Sequence, residues 1–413
     1  MADLAPTRLV WPGQEQCVAF EGAGAAVLVS PDDPRLEAQP LTSVARYGER
    51  SGDPDGLLAV GDSLPVLRSL GIGGEVRLAY LDPPFNTKER SLHYDDALDR
   101  PIWLAMMRDR LSAVNDLLAP DGSLWVHCDD REQAYLRILL DELMGVEAFV
   151  ATIVWQRRYS RENRRAIGAV HDYIHVYAPL GLAWKETRNR LPRQDRPGTW
   201  RNPDNDPRGP WSTVALTAQG GHGTAEQFYA ITTPSGKVVE PPPGSCWRVT
   251  HRRLEAMIQA GEIWFGPDGS NVPRRKVYLS EAKGLVPWTW WPHTEVGHND
   301  EARREMRRLF PDQEPFATSK PERLLARIVE VATNPGDLVL DCFLGSGTTA
   351  AVAHKLGRRW IGVELRPEIV DSFALPRLRA VVEGRDEGGV SALREGGSFE
   401  YRQAPARELQ RAA

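Results

Sequence analysis

LVLDCFLGSGTTA, residues 338–350, is an apolar run that closes on an acid and passes through a turn with two glycines into small, helix-favouring residues. Leu338 to Phe343 reads as a buried strand, Leu344 to Thr349 as a glycine-rich turn, and the Ala/Val stretch that follows as a helix stopped by Gly357. A strand that turns straight into a helix is the repeating unit of a parallel sheet clothed by helices. Gly345 and Gly347 allow a ligand to approach the backbone closely at a helix N-terminus. Arg359 to Glu364 reads as the next strand, and an acid at its tip, Glu364, suits the paired hydroxyls of a ribose. The turn therefore points to a nucleoside-containing cofactor. No Gly-Lys-Ser/Thr follows, which disfavours a nucleoside triphosphate. Gly345, Gly347 and Ala350 also fit the looser G-x-G-x-x-A form, so a nicotinamide dinucleotide stays open at this point.

The same rhythm appears around LAYLDPPFNT, residues 78–87. Leu78 to Leu81 reads as a buried strand, and two prolines without N–H donors end its pairing at Asp82-Pro83-Pro84-Phe85. The outcome expected is a stiff shelf carrying a carboxylate, two free carbonyls and an aromatic face. The Asp82 carboxylate and the Pro83 carbonyl suit the two N–H bonds of an exocyclic amine, and Phe85 suits the flat ring that bears it. Such acceptors stabilise the positive charge that develops when the amine attacks an electrophile. A lone D-P-P is as readily a strand exit as a site; the glycine turn downstream makes the difference.

Between and around these motifs, Leu57 to Val60 reads as a strand and Ser63 to Leu70 as a short amphipathic helix. Residues 88–101 read as a polar, mobile loop. Trp103, Met107, Leu111, Val114 and Leu118 follow helical spacing. Ser123–Cys128, Phe149–Trp155 and Tyr173–Tyr177 read as strands, and Arg131–Met144 as a helix. His171 and His175 lie in a strand-like run without a carboxylate at ligand spacing, so they read as structural. Ser319-Lys320-Pro321-Glu322 has the S-x-x-E form of a capping box opening a helix to about Thr333. Strand–helix alternation of this kind predicts an α/β fold: a doubly wound, mostly parallel, seven-stranded, Rossmann-like sheet. Both motifs then fall at the carboxyl ends of neighbouring strands.

Residues 180–315 break the alternation. Proline- and glycine-rich loops dominate, and Trp184, Trp200, Trp211, Trp247, Trp264, Trp288, Trp290 and Trp291 crowd in beside Arg252-Arg253 and Arg274-Arg275-Lys276. Arginines among aromatics fit a nucleic-acid surface, although most of these tryptophans are expected to fill the core of a small β-rich lobe. The division expected is an N-terminal extension (1–56), a first sheet half (57–179), the inserted Trp/Arg lobe (180–315), a second sheet half (316–382) and a poorly ordered tail (383–413). In the extension, Leu9-Val10-Trp11 and Ala25–Val29 are expected to form a small hairpin.

Bulk properties constrain the class. The 413 residues suffice for two or three domains, and no run approaches a membrane span. The N-terminus lacks a basic and then apolar leader, and four scattered cysteines form no C-x-x-C pair, which fits a reducing cytoplasm and argues against a zinc site. The net charge of −5 does not advertise nucleic acid, yet residues 180–315 hold 19 Lys+Arg against 16 Asp+Glu, about +3, leaving −8 elsewhere. Residues 157–165, RRYSRENRR, add a basic run with Arg157, Arg158, Arg161, Arg164 and Arg165.

A glycine loop with an acidic ribose binder, joined to an amine-holding shelf, describes methyl transfer from S-adenosylmethionine to an exocyclic amino group. Here the sequence resembles the DNA amino-methyltransferases of the β arrangement, and more narrowly the modification (Mod) subunits of type III restriction systems and their solitary relatives. The resemblance spans residues 57–370 and rests on LLAVGD (57–62), LDPPFNT (81–87), HDYIHVYA (171–178), SKPERLL (319–325) and LDCFLGSGTTA (340–350). It implies a site-specific DNA adenine-N6 methyltransferase that flips its target base, because Asp before the two prolines marks the adenine enzymes. Asp82, Pro83, Pro84 and Phe85 would form the catalytic shelf. Phe343, Gly345 and Gly347 would line the methionine part of the cofactor, with Asp341 and Thr348 in the same set. Glu364 would hold the ribose, Lys320 would belong to the helix flanking the methionine carboxylate, and Asp62 would lie near the adenine. Arg157, Arg158, Arg161, Arg164, Arg165, Arg252, Arg253, Arg274 and Arg275 would contact double-stranded DNA. A homodimer and a restriction subunit are further partners the resemblance admits; no metal and no membrane are implied. Phe85 stands where Tyr is commoner and Leu344 where Ala is usual, and the chain is shorter than many Mod subunits. Cytosine-N4 or RNA amino-methylation on the same fold, and more remotely an NAD-dependent oxidoreductase, remain as alternatives.

Overall fold

The computed structural model describes residues 8–21, 24–48, 52–87, 98–161, 166–193, 195, 197–386, 388–391 and 396–405. The chain divides into two compact units, Met1–Asn189 with Pro287–Ala413, and Arg190–Val286.

The first unit is built on one sheet of ten strands: β1 (Thr42–Gly48), β2 (Gly56–Val60), β3 (Val76–Leu81), β4 (Leu118–Cys128), β5 (Phe149–Gln156), β6 (His171–Tyr177), β7 (Trp290–Trp291), β8 (Leu338–Asp341), β9 (Arg359–Glu364) and β10 (Ser398–Gln403). Their spatial order is β7-β5-β6-β4-β3-β8-β9-β2-β10-β1. The run from β4 to β10 is parallel throughout, as is the β7/β5 pair, while β5/β6, β6/β4 and β10/β1 are antiparallel. Among its helices are α1 (Ser63–Ser69), α2 (Arg100–Leu117), α3 (Gln133–Met144), α4 (Glu322–Ala332), α5 (Thr348–Lys355) and α6 (Leu375–Val382). The first three pack on one another, and the last three form a second group.

This connectivity makes the sheet doubly wound. From β3 the chain crosses through α2 to β4; from β8 it crosses through α5 to β9, in the opposite direction along the sheet. Crossovers of one hand running in opposite directions place their helices on opposite faces. The winding reverses between β3 and β8, which are hydrogen-bonded neighbours. Leu78–Leu81 and Leu338–Asp341 are buried along their whole length, as continuous apolar strands covered on both faces must be. Val76, Ala79 and Leu81 of β3 share one core with Leu340 of β8 and with Trp103, Met107, Leu111 and Val114 of α2.

The sheet has ten strands rather than seven because short or polar segments join its edges. Ser398–Gln403 was expected within a disordered tail; instead it pairs with β2 and β1, burying Phe399 and Tyr401 on alternate positions of an otherwise polar run. Thr42–Gly48, in the expected extension, is the last strand on that edge. The N-terminal hairpin joins Ala25–Val29 to Cys17–Glu21, not to Leu9–Trp11. The inserted lobe is also narrower than residues 180–315. Trp290–Trp291 pairs with β5, and Trp184 and Trp291 pack on Trp125 of β4, so these flanks belong to the sheet.

Among the described residues, the unit Arg190–Val286 holds small antiparallel sheets, short 3-10 turns and one α-helix, His251–Gln259. Leu216, Ile231, Val239, Trp247, Leu254, Met257, Ile263 and Phe265 make its core. Of the eight tryptophans expected mainly inside a lobe core, Trp211 and Trp247 are buried here and Trp184 and Trp291 in the sheet unit; Trp288 and Trp290 are exposed. No helix among the described residues is long and apolar enough to cross a membrane.

Candidate active site

At the carboxyl ends of β3 and β8 a cavity of about 620 Å³ opens, within the roughly 300–1,000 Å³ of small-molecule sites. Asp82, Pro83, Pro84 and Phe85 form one wall, and Asp341, Phe343, Gly345 and Thr348 form the other. The two motifs, more than two hundred residues apart in sequence, therefore share one space. This is the crevice at which ligands bind in doubly wound sheets.

The shelf is pinned from below. The Trp103 indole of α2 donates to the Pro84 carbonyl at 2.7 Å, so that carbonyl is not free as the sequence suggested. Beyond Phe85 the chain turns at Asn86, whose φ is +56° and whose amide donates to Glu132 at 3.0 Å. Glu132, itself buried, also takes Arg100 at the start of α2 at 2.8 Å. Asp82 is 18 % exposed and is ion-paired with Lys320.

His127, at the end of β4, lies beneath the shelf and was not singled out in the sequence. Its ring is 5.5 Å from Phe85 and 5.4 Å from Trp155. Nδ1 shares a hydrogen bond of 2.9 Å with the Tyr80 hydroxyl and lies 4.0 Å from Asp82 Oδ1. Nε2 faces Asp172 Oδ2 at 3.5 Å, and Asp172 is paired with Arg157 at 3.0 Å. Burial, and then the Lys320 ammonium, hold the imidazole below its ordinary pKa, so it is neutral. An imidazole in a fully buried strand needs such partners, and that requirement was the signal available in Ser123–Cys128.

On the opposite wall, Gly347 has a φ of +81°, and a Cβ there would meet Ala374 Cα at 3.2 Å. Asp341 is buried; the Phe343 N–H at 3.0 Å and the Thr349 hydroxyl bond to it. Desolvation pushes its carboxyl up to about 7 against those bonds, with the charges of Asp82 and Glu364 adding to the rise. Glu364 lies just outside the cavity lining: its carboxylate accepts from the Gly345 N–H at 2.8 Å and the Arg366 N–H at 3.1 Å. Gly347 and Asp62 are also outside the lining. Asp62 caps α1 through Leu64 N–H at 3.2 Å and is ion-paired with the buried Arg110.

The capping box expected at Ser319–Glu322 does not form. Pro321 is the N-cap of α4, and the Ser319 hydroxyl bonds to that of Ser346 at 3.0 Å. Glu322 is buried with Lys355 at 2.9 Å and Arg377 at 2.8 Å, and Arg377 donates to Thr348 at 2.7 Å. Charge partners brought together by the fold outcompete the local cap. Of the basic residues expected on DNA, Arg157 and Arg158 line the cavity, and Arg161 is exposed. Arg164 and Arg165 lie outside the described residues. Arg252, Arg253, Arg274 and Arg275 are exposed on the Arg190–Val286 unit. His175 bonds to Thr152 at 3.0 Å and to the Gln133 carbonyl at 3.1 Å, whereas His171, bonded to Tyr173 at 2.9 Å, lines the cavity. No group of metal-ligating side chains is present among the described residues.

Comparison with known proteins bears on the same region. The StyLTI Mod subunit of a type III restriction-modification enzyme from Salmonella typhimurium is 30% identical over 326 residues, 71% of this chain and 49% of that protein. The type II methyltransferase M.EcaI of Enterobacter cloacae is 30% identical over 322 residues, 75% of this chain and 66% of that protein. The HindVI Mod subunit of Haemophilus influenzae, a probable type III enzyme, is 26% identical over 434 residues, 88% of this chain and 55% of that protein. The chain thus spans about half to two thirds of the length of these relatives. The family model described as DNA methylase matches residues 76–375, from the first residue of β3 through the glycine loop and beyond β9, and the chain belongs to that family.

Proposed function

We propose that this chain is an S-adenosylmethionine-dependent DNA adenine-N6 methyltransferase. The observation that carries the reading is the single cavity walled by Asp82–Phe85 on one side and by Phe343, Gly345 and Thr348 on the other. An amine-accepting shelf and a nucleoside-accepting loop belong in one reaction only if their ligands can touch. The family description, DNA methylase, favours DNA over the RNA alternative, and Asp82 before the two prolines is what favours adenine-N6 over cytosine-N4. A nicotinamide dinucleotide would leave the shelf without a task.

The residues present fit the cofactor. The loop that carries Gly345 and Gly347 has φ of +54° and +81°, and a Cβ on the second glycine would press on Ala374 at 3.2 Å, so glycine there keeps the turn into α5 tight while Gly345 lines the cavity. Phe343 and Leu344 supply apolar lining and Gly345 the close approach, while Glu364 stands behind the loop as the ribose acceptor. Asp62 is placed at the adenine end in the same reading, with Asp341 keeping the loop's shape through Phe343 and Thr349. Bound there, S-adenosylmethionine supplies a methyl group on a positively charged sulfur.

The shelf acts on the acceptor. Phe85 stacks on an adenine that has left the duplex, repaying part of an unstacking cost of a few kcal/mol. The Asp82 carboxylate and the Pro83 carbonyl accept the amine's N–H bonds and direct the nitrogen lone pair out of the ring plane. An amine nitrogen that takes up a methyl group becomes positively charged; Asp82 would stabilise that charge and would accept the proton released. His127 stays neutral beneath Phe85 and fixes the ring. Arg157 and Arg158 at the cavity, Arg161 nearby and the arginines of the Arg190–Val286 unit are assigned to the DNA backbone and flanking bases.

Expression in a host without DNA methylation, followed by sequencing that reports modified bases, tests the proposal. N6-methyladenine at a defined sequence is the expected result. N4-methylcytosine, or methylation of RNA alone, overturns it. The restriction partner implied by the Mod relatives is tested by co-purification from the native host.

A further inference from the structure

The carboxylate on which the shelf depends is covered at both oxygens. Asp82 Oδ2 accepts from Lys320 Nζ. Oδ1 has no hydrogen-bond partner among the described residues and is buried, facing His127. The same Nζ stands 5.2 Å from the centre of the Phe85 ring and 3.4 Å from the Thr318 carbonyl. The side-chain amine of Lys320 therefore sits where the shelf would seat an exocyclic amine, against the carboxylate and over the ring. A base amine cannot occupy that position while Nζ fills it. Both members of the pair are largely buried, 8 % and 18 % exposed, so separating them leaves two poorly hydrated charges without a partner. The lysine leaves one anion only where a second anion receives it. A base amine carries no such charge.

We infer that Lys320 is a gate on the base-binding shelf, opened by the carboxylate of the cofactor's amino-acid end. This rests on the cofactor reading above. Cofactor binding draws Nζ from Asp82 and frees the acceptor, so that base capture follows cofactor capture; by linkage, a captured base tightens the cofactor. Asp82 and the cofactor thus compete for one lysine. That competition distinguishes a gate from a lysine that merely neutralises a buried acid, and it is measurable without DNA.

The test is calorimetric binding of S-adenosylmethionine and of 5′-methylthioadenosine, which keeps the nucleoside and sulfur but lacks the amino-acid end. Both are titrated into the full chain, Asp82→Asn, Lys320→Met and the double variant. Asp82→Asn keeps the shape and removes the competing charge, so it binds S-adenosylmethionine at least about fivefold more tightly than the unaltered chain. The gain disappears in the Lys320→Met background and is absent for methylthioadenosine, whose unchanged affinity also shows that each variant has an intact site. Unchanged affinity in Asp82→Asn overturns the gate. Weaker binding does so as well, because it would mean that Asp82 holds the cofactor's own ammonium. A gain that persists without Lys320, or that methylthioadenosine shares, equally overturns it. Failure of both compounds to bind the unaltered chain removes the cofactor reading and the gate with it, whereas binding without the Asp82→Asn gain removes the gate alone.

Discussion

The ends of β3 and β8 are neighbours with opposite characters. At the end of β8 the polar groups are satisfied from within: Asp341 takes the Phe343 N–H and the Thr349 hydroxyl, and Glu364 takes the Gly345 and Arg366 N–H groups. The loop is a finished surface before anything binds. At the end of β3 the carboxylate is ion-paired with one lysine, keeps one oxygen unpartnered among the described residues, and stands beside Phe85, whose ring is tilted against the neutral His127 imidazole. A wall built to hold a ligand can afford to be saturated. A wall proposed to act on one needs an acceptor that can be released to it, since groups freed for the substrate are what a transition state can use.

The sharpest break of this comparison is Asp82→Ala. Transfer is expected to fall by at least about 10²–10³-fold, the range seen when one transition-state electrostatic partner is lost, while cofactor binding survives. Single-turnover methylation at saturating cofactor measures the first, and calorimetry the second. Comparable losses in both would show that the two strand ends do not divide the labour. Phe85→Leu comes next. It keeps apolar bulk and removes the stacking face, for which base–aromatic contacts contribute about 1–3 kcal/mol. Duplex methylation should fall roughly five- to 150-fold in kcat/KM, with cofactor affinity unmoved.

How far the sequence announced these two regions follows from the range of the forces that shape them. Leu78–Leu81 and Leu338–Asp341 are central strands, and central strands advertise themselves as continuous apolar runs. The glycine turn and the diproline exit are local backbone chemistry, so both walls of the cavity were legible. The sheet's edges were not. Trp290–Trp291 is too short to show a period, and Ser398–Gln403 hides Phe399 and Tyr401 among charges. The side chains that complete the site were least legible. Lys320 meets Asp82 across 238 residues, and His127 meets Asp172 and Tyr80 only once β3, β4 and β6 are assembled. Glu322 looked like a helix cap because Lys355 and Arg377 are remote in sequence. Local motifs can be read from spacing; ion pairs and stacked rings are products of the fold.

Gly347→Ala probes the holding wall. Its positive φ costs an L-residue about 1–2 kcal/mol, and the added Cβ meets the Ala374 backbone at 3.2 Å. Cofactor affinity should weaken roughly tenfold while kcat at saturating cofactor stays within about twofold, the pattern of a loss shared by ground and transition states. An equal fall in saturated kcat would mean that the loop also shapes the reacting geometry.

The smallest effect separates the two ends by pH. Burial pushes Asp341 up to about 7 from an ordinary value of 3.8, and burial with the neighbouring Glu322 charge pushes Glu305 up to about 7 from 4.5. Between the unfolded and folded values the native chain holds more protons than the unfolded one. The stabilisation from each group is therefore complete below its unfolded value and is lost as pH rises through about 7. Each group contributes a slope of at most about 1.4 kcal/mol per pH unit, small against the losses above. Thermal unfolding at pH 5, 6, 7 and 8 should show Asp341→Asn losing part of the downward trend, and Asp341→Asn with Glu305→Gln losing more. If Asp341→Asn left that trend unchanged, burial of the carboxylate at the end of β8 would not be a source of the slope.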